Sequence, residues 1–295
     1  MRFRDKGGEA ISPVFTSAEG ESRFLAAYDD AMKLWPIPYA TRDIATDYGS
    51  THVIVSGSEG APPLVLLHCA LMTSAIWSPI IGELSESYRT FAVDVIGDVG
   101  RTVPTKPPAT EAESADWLAQ TLDGLGLAET RLLAWSFGGS VGVNFAMHHP
   151  ERVEKLALVA PFKPFVKQSM GFLFGFYPWV VRTERASRAF ERKMCFKEDF
   201  GYPEHSRLLS ERFRSGKLLL KVPPRTFSDL EFRLLTMPTL LLVGREEFLY
   251  DGAAAVERAR QVLPNGDAEL LAECNHAVVS DQTELVADKV LAFLG

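Results

Sequence analysis

Residues 130–149 read TRLLAWSFGGSVGVNFAMHH, and this stretch is the strongest indication of the fold in the sequence. Its first six residues form an apolar run that predicts a buried strand, and the residues from Phe137 onward predict a helix. The chain must therefore turn sharply at Ser136, and the side chains two positions away must be small. Ala134 and Gly138 meet this requirement. A small-x-Ser-x-Gly pattern between a strand and a helix is typical of a nucleophile elbow, in which a strained serine presents its hydroxyl group.

Further apolar runs on both sides of this stretch predict more strands. These runs are continuous rather than alternating, as in strands buried between helix layers. They are residues 63–68, 88–94, 153–160, 238–244 and 268–272. Upstream, residues 41–46 and 51–56 flank a turn and predict a hairpin at a sheet edge. Because strands alternate with helical stretches, the sequence predicts an α/β fold with a mostly parallel, doubly wound sheet.

The chain divides into three predicted parts. Residues 1–20 are polar and predict a flexible N-terminus. The core spans residues 21–160 and 236–295, and it begins with a helix over residues 21–35. Residues 161–235 are predicted to form a helical cap, inserted after the fourth of the buried strands.

Composition limits the classes of partner. Of the 295 residues, 46% are hydrophobic and 23% are charged, as in a soluble globular protein. The net charge of -7 argues against nucleic acid or an anionic membrane as a partner. The three cysteines are too sparse and widely spaced for a disulfide framework or a zinc site, so we expect no metal.

Three features predict a cytoplasmic location. The cysteine usage suits a reducing compartment. The first ten residues, MRFRDKGGEA, lack the apolar core of a signal peptide. No stretch approaches the ~20 apolar residues that span a bilayer, so we expect no transmembrane segment.

A serine hydroxyl is a weak nucleophile and needs a base, which itself needs an orienting acid. Behind such an elbow the order along the chain is serine, acid, histidine. His276 follows the last predicted strand, at the sheet edge where Ser136 lies, and is the predicted base. The remaining histidines lie in the edge hairpin, at the far end of the helix after the elbow, in the cap, and at the end of the first buried strand: His52, His148, His149, His205 and His68.

The acid is expected in the turn REEFLYD, residues 245–251, because this turn follows the penultimate strand. Glu247 fits best by its spacing. Glu246 and Asp251 remain alternatives at this stage.

An oxyanion hole requires preorganised hydrogen-bond donors. The N–H of Phe137, at the head of the helix, is one predicted donor. The other is expected from the loop after the first buried strand, where we select the N–H of Ala70. His68 is predicted to brace this loop rather than to act as a base.

At these residues the chain resembles the α/β-hydrolase fold family and, more narrowly, bacterial carboxylesterase-like serine hydrolases. The resemblance extends from about Ala18 to the C-terminus and is weakest in the cap. Its markers are LWPIPY, THVIVSG, APPLVLLH, YRTFAVDVIGD, AWSFGGS, HPERV, PTLLLVG and NHAV. The resemblance implies esterase chemistry with Ser136 as nucleophile, Glu247 as acid and His276 as base.

The chain departs from the family pattern at three positions. Ala134 replaces a glycine two residues before the nucleophile, and Glu247 stands where aspartate is more frequent. Cys69 replaces the glycine that usually follows the histidine of the oxyanion loop. Cys69 is either a tolerated small residue or the sign of an altered oxyanion hole or acyl pocket, and no predicted base adjoins it that would make it a nucleophile.

We expect a serine hydrolase that cleaves carboxylic ester or thioester bonds of a hydrophobic acyl substrate through an acyl-enzyme, without a cofactor. Ser136 argues against haloalkane dehalogenases and epoxide hydrolases, which use an aspartate nucleophile. A biosynthetic thioesterase, cyclase or acyltransferase is the alternative enzyme. A ligand-binding, receptor-like homologue is the alternative outside catalysis.

The apolar segment MGFLFGFYPWVV, residues 170–181, predicts a hydrophobic substrate pocket. The expected pocket residues are Cys69, Leu71, Trp135, Phe162, Phe172 and Phe176. The same segment could instead pack on the core, and the cap is also an expected surface for a homodimer or carrier-protein contact.

Overall fold

The structure, a computed structural model, describes residues 3–4, 10–169 and 183–295. Nine of the strands in these residues form one sheet, and two short strands pair with each other. The strands are β1 (Phe3–Arg4), β2 (Ala10–Ile11), β3 (Tyr39–Thr46), β4 (Gly49–Ser56), β5 (Pro63–Leu67), β6 (Arg89–Val93), β7 (Val103–Pro104), β8 (Thr130–Trp135), β9 (Val153–Val159), β10 (Thr239–Gly244) and β11 (Gly266–Leu271).

The sheet has the order β11-β10-β9-β8-β5-β6-β4-β3, and β7 pairs with β4 outside this path. Neighbours from β11 to β6 are parallel, whereas β3, β4 and β7 join the sheet in antiparallel pairs. All six residues of β10 are buried, which explains its continuous apolar sequence. The predicted α/β class with an antiparallel edge hairpin is confirmed, and the predicted strands differ from the observed ones by one or two residues at their ends.

Helices connect these strands and cover the sheet. They are α1 (Ala18–Met32), α2 (Ile81–Ser87), α3 (Glu111–Leu125), α4 (Phe137–His148), α5 (Glu184–Met194), α6 (Pro203–Ser215), α7 (Asp229–Phe232), α8 (Gly252–Val262), α9 (Val278–Asp281) and α10 (Thr283–Leu294). Helices α5, α6 and α7 fall in the segment predicted as a cap, whose boundaries stay a prediction. No helix in the described ranges is long and apolar enough to cross a membrane.

The N-terminal segment enters the hydrophobic core before residue 21, where the sequence predicts that the core begins. Val14 and Phe15 are buried, and the Phe15 ring lies 5.3 Å from that of Phe24 on α1. The Lys217 amide donates to the Val14 carbonyl at 2.7 Å, which ties this segment to the chain after α6. The expectation of a flexible N-terminus over residues 1–20 therefore needs correction for residues 12–20, because their two large apolar side chains enter the core. Residues 1–2 and 5–9 lie outside the described residues.

One histidine joins the cap segment to the core in a neutral form. His205 on α6 is fully buried, and its Nε2 lies 3.2 Å from the Ala75 carbonyl and 3.1 Å from Ser78 Oγ. The Ala75 carbonyl can only accept, so Nε2 carries the hydrogen, while Nδ1 has no partner among the described residues. Burial lowers the pKa of His205 to about 4, since charging this ring would leave it desolvated.

We expect acid to destabilise the protein through His205. Between pH 6.5 and pH 4 the histidine takes up a proton in the unfolded chain but not in the folded one, so the free energy of unfolding falls as the pH drops. The loss reaches about 3 kcal/mol near pH 4 and is absent above pH 7. Urea unfolding at several pH values should show a smaller pH dependence for His205→Gln than for wild type. An equal reduction in His149→Gln, at a half-exposed position, would contradict this assignment.

Candidate active site

Ser136 occupies the sharp turn between β8 and α4, with φ 53° and ψ -112°. A positive φ is costly for a residue with a side chain, by about 1–3 kcal/mol. Three backbone hydrogen bonds hold it: the Ser136 amide donates to Val159 at 2.9 Å, and its carbonyl accepts from Ser140 and Phe162. The predicted elbow is therefore present in the structure.

The small neighbours of Ser136 are required by close backbone contacts. A Cβ atom on Gly138 would lie 2.2 Å from the Leu67 carbonyl oxygen, and one on Gly139 would lie 2.7 Å from Pro161. Ala134 is fully buried, and its Cβ lies 3.1 Å from where a Cβ on Gly142 would be. The head of α4 can approach β5 and Pro161, just beyond β9, closely only because glycines face them.

Ser136, His276 and Glu247 form a continuous hydrogen-bonded chain. His276 Nε2 lies 2.6 Å from Ser136 Oγ, and His276 Nδ1 lies 2.6 Å from Glu247 Oε2. The second carboxylate oxygen of Glu247 accepts the Leu249 amide at 2.9 Å. The His276 and Glu247 side chains are almost wholly buried. This geometry directs the Nδ1 hydrogen to the carboxylate and leaves Nε2 free to accept the serine proton.

The two alternative acids are engaged elsewhere. Glu246 is exposed and its carboxylate accepts the Cys274 amide at 3.1 Å. Asp251 is the N-cap of α8, where it accepts the Ala254 amide at 2.9 Å. Of the three candidates, the structure brings only Glu247 to His276.

The loop that carries His276 is held by the core and by the cap segment. The indole Nε1 of Trp135 donates to the His276 carbonyl at 3.1 Å, and the Ala277 amide donates to the Met194 carbonyl at the end of α5 at 2.8 Å. Asn275 Oδ1 accepts the His276 amide at 2.8 Å. The position of the imidazole therefore depends on contacts from two distant parts of the chain.

The oxyanion loop is braced by His68, as the sequence suggests. His68 Nε2 accepts the Val95 amide at 2.9 Å, so its Nδ1 carries the hydrogen and donates to the Cys69 carbonyl at 2.8 Å. The amides of Ala70 and Phe137 donate to no acceptor in the part of the chain that the structure describes. Within the described residues, nothing competes with an external acceptor for these two amides.

A cavity of about 150 Å³ opens beside Ser136 and His276, and its described walls are almost entirely apolar. Its lining residues are Cys69, Ala70, Ser136, Phe137, Phe162, Phe190, Met194, Leu218, Leu220, Pro224, Leu249 and His276. Burial and the nearby Asp98 charge raise the pKa of the Cys69 thiol well above its usual value, so this cavity-lining thiol is protonated. No group of three or more His, Cys, Asp or Glu side chains among the described residues is arranged to hold a metal ion.

The predicted pocket residues have mixed outcomes. Cys69 and Phe162 line the cavity. Leu71 and Trp135 do not, which corrects the prediction: the Trp135 indole is buried and donates to the His276 carbonyl, and Leu71 is buried in the core at φ 70°. Phe172 and Phe176 lie outside the described residues.

Six of the twelve described lining residues are not among the predicted site residues: Phe190, Met194, Leu218, Leu220, Pro224 and Leu249. Phe190 and Met194 are four residues apart on α5, a spacing that marks a single apolar helix face. The sequence therefore indicates an apolar helix face. It does not indicate that this face lies against the cavity beside Ser136.

Comparisons with known proteins agree with this geometry. A family model described as "alpha/beta hydrolase fold" matches residues 62–282. Among curated proteins, the carboxylesterase YbfK of Bacillus subtilis is 34% identical and covers 96% of this chain and 97% of its own. An uncharacterized carboxylesterase, nap, of the same organism is 32% identical, covering 92% of each chain. The solved structure of naproxen esterase (carboxylesterase NP) from Bacillus subtilis aligns with a TM-score of 0.90 at 31% identity, over 94% of this chain and 99% of that chain.

The choice of acid can be tested by removing its charge. Glu247→Gln should lower kcat for ester hydrolysis by roughly 10⁴-fold, because the amide cannot hold the histidine tautomer that accepts the serine proton. The matched changes Glu246→Gln and Asp251→Asn should alter kcat by less than about threefold, since neither side chain reaches His276 and asparagine also caps helices. A large kcat loss in either control, with Glu247→Gln active, would assign the acid elsewhere. The measurement is steady-state hydrolysis of p-nitrophenyl esters.

Proposed function

Because the chain belongs to the α/β-hydrolase fold family, we propose that it cleaves carboxylic ester or thioester bonds of hydrophobic acyl substrates through an acyl-enzyme on Ser136. The chain is a carboxylesterase-like hydrolase, since curated carboxylesterases are 32% and 34% identical to it over most of its length. The observation that carries the finer proposal is the Glu247–His276–Ser136 hydrogen-bonded chain at the wall of an apolar cavity.

In the first half-reaction, His276 Nε2 takes the proton of Ser136 Oγ as this oxygen attacks the substrate carbonyl carbon. The Glu247 carboxylate stabilises the imidazolium that forms. The carbonyl oxygen becomes an oxyanion, which accepts hydrogen bonds from the Phe137 and Ala70 amides. Collapse of this intermediate transfers the proton from His276 to the leaving alcohol or thiol, and the acyl group stays on Ser136.

In the second half-reaction, His276 takes a proton from water, and the resulting hydroxide attacks the acyl-enzyme carbonyl. The same two amides hold the second oxyanion. Proton return from His276 to Ser136 Oγ releases the carboxylic acid and restores the starting state. Apart from the substrate and water, the steps use only side chains and amides of the described residues.

The cavity wall supports the substrate class. Phe162, Phe190 and Met194 contribute aromatic and thioether surface, and the described lining residues include no Asp, Glu, Lys or Arg. Such a wall favours an aliphatic or aromatic acyl group over a sugar or nucleotide. A cytoplasmic location and a contact of the cap with a second subunit or carrier protein stay predictions.

The nucleophile is tested with Ser136→Ala. This change should lower ester hydrolysis by at least about 10³-fold and abolish labelling by a fluorophosphonate probe, because among the described residues only the Ser136 hydroxyl is hydrogen-bonded to His276. Ser58→Ala, in an exposed turn, should retain both. Mass spectrometry of the labelled wild type should place the adduct on Ser136. Turnover that survives in Ser136→Ala would refute the mechanism, whereas wild type with neither label nor turnover would favour a ligand-binding protein.

The substrate class is tested with a series of p-nitrophenyl esters of increasing acyl length. We expect kcat/KM to rise by up to about fourfold for each added methylene until the cavity is filled, since each buried methylene contributes about 0.8 kcal/mol. The change Phe190→Ser, which makes the wall polar, should flatten this rise while acetate turnover persists. A profile that falls from acetate onward would contradict a hydrophobic acyl site.

A further inference from the structure

Asp98 is a buried carboxylate that connects the oxyanion loop with the cap segment. Only 1% of the residue is exposed. One carboxylate oxygen accepts the Leu71 amide at 2.6 Å, and the other accepts the Val99 amide at 2.7 Å and Nε of Arg212 at 3.3 Å. Both oxygens are therefore used, and none of these partners belongs to the Ser136–His276–Glu247 chain.

The hydrogen bond from the Leu71 amide to Asp98 fixes the orientation of the peptide group that follows Ala70. Leu71 has φ 70°, which a leucine adopts only when its surroundings impose it. The other side of Ala70 is fixed through Cys69, whose carbonyl accepts from His68 Nδ1 and, at 3.4 Å, from the Met72 amide. Because the N–H and C=O of a trans peptide point in opposite directions, these bonds together set where the Ala70 N–H points.

Arg212 connects the cap segment to these hydrogen bonds through its ion pair with Asp98. It lies on α6, its side chain is 7% exposed, and a Cβ atom on Gly216 would lie 2.5 Å from its Nη1. A buried carboxylate is tolerated when an opposite charge and hydrogen bonds accompany it. The guanidinium of Arg212 supplies that charge to Asp98 from a helix more than a hundred residues along the chain.

We propose that Asp98 and Arg212 are positioning residues for the Ala70 amide, so that helix α6 of the cap segment and the oxyanion hole are coupled through one buried ion pair. The inference rests on the proposed function, which gives the Ala70 amide its role at the oxyanion. It also accounts for the residue type at position 98. Asparagine offers a single acceptor oxygen and would turn its NH₂ group toward donors on one side, either Leu71 or the Val99–Arg212 side.

The test compares Asp98→Ala, Arg212→Met and the double variant in the full-length protein. Asp98→Ala should lower kcat by about 10²-fold, as expected for a displaced oxyanion donor, with KM changed by less than about threefold. Arg212→Met should lower kcat by about tenfold. Because Arg212 acts through Asp98, the double variant should be no slower than Asp98→Ala. Affinity for an alkyl boronic acid, which forms a tetrahedral adduct on serine, should fall in parallel with kcat.

The double variant also guards against a folding defect, since it removes both charges of the Asp98–Arg212 ion pair together. Arg225→Met is the matched control: it breaks another ion pair of the cap segment, in which Arg225 Nη2 lies 2.9 Å from Glu111 on α3, and should leave kcat and boronic acid affinity unchanged. Folded variants with unchanged kcat, additive losses in the double variant, or an equal loss in Arg225→Met would each overturn the coupling. If Ser136→Ala abolishes hydrolysis while Asp98→Ala keeps full kcat, only the coupling fails; if Ser136→Ala stays active, the proposed function fails first.

Discussion

The positive φ of Ser136 is the constraint on which the rest of the site depends. A residue with a side chain stays in this conformation only when surrounding hydrogen bonds impose it. The Val159 carbonyl on β9 and the Phe162 amide beyond it supply those bonds, and Gly138 allows the helix to approach β5. The order of strands at the centre of the sheet and the placement of the Ser136 hydroxyl beside His276 are therefore parts of one arrangement.

The cap segment contacts the loop that carries His276, and through Asp98 it is connected to the loop that carries Ala70. Near the base, the Met194 carbonyl accepts the Ala277 amide, and the Asp281 carboxylate accepts the amides of Phe196 and Asn275 at 2.9 Å each. Near the oxyanion loop, Arg212 pairs with Asp98. A shift of helices α5 and α6 would consequently move both His276 and the Ala70 loop, rather than only widening the entrance.

Two pocket residues were misplaced from sequence for identifiable physical reasons. Trp135 adjoins Ser136, but at the end of a strand successive side chains face opposite sides, so its indole enters the core and supports the His276 carbonyl. Leu71 adjoins Ala70, yet its positive φ turns the chain, and no local pattern announces that conformation. Adjacency along the chain is thus a weak guide to a shared cavity.

The parallel sheet, the elbow at Ser136 and the loop that carries His276 can be predicted from the amino-acid sequence, because they follow from local requirements: apolar runs, small neighbours and the end of a strand. The folded chain was needed to show that Glu247 rather than Glu246 or Asp251 meets His276, that Phe190 and Met194 line the cavity, and that Arg212 reaches Asp98. Those outcomes depend on side-chain directions and on packing between segments far apart in the chain. No short-range pattern encodes the distance between such segments once the chain has folded.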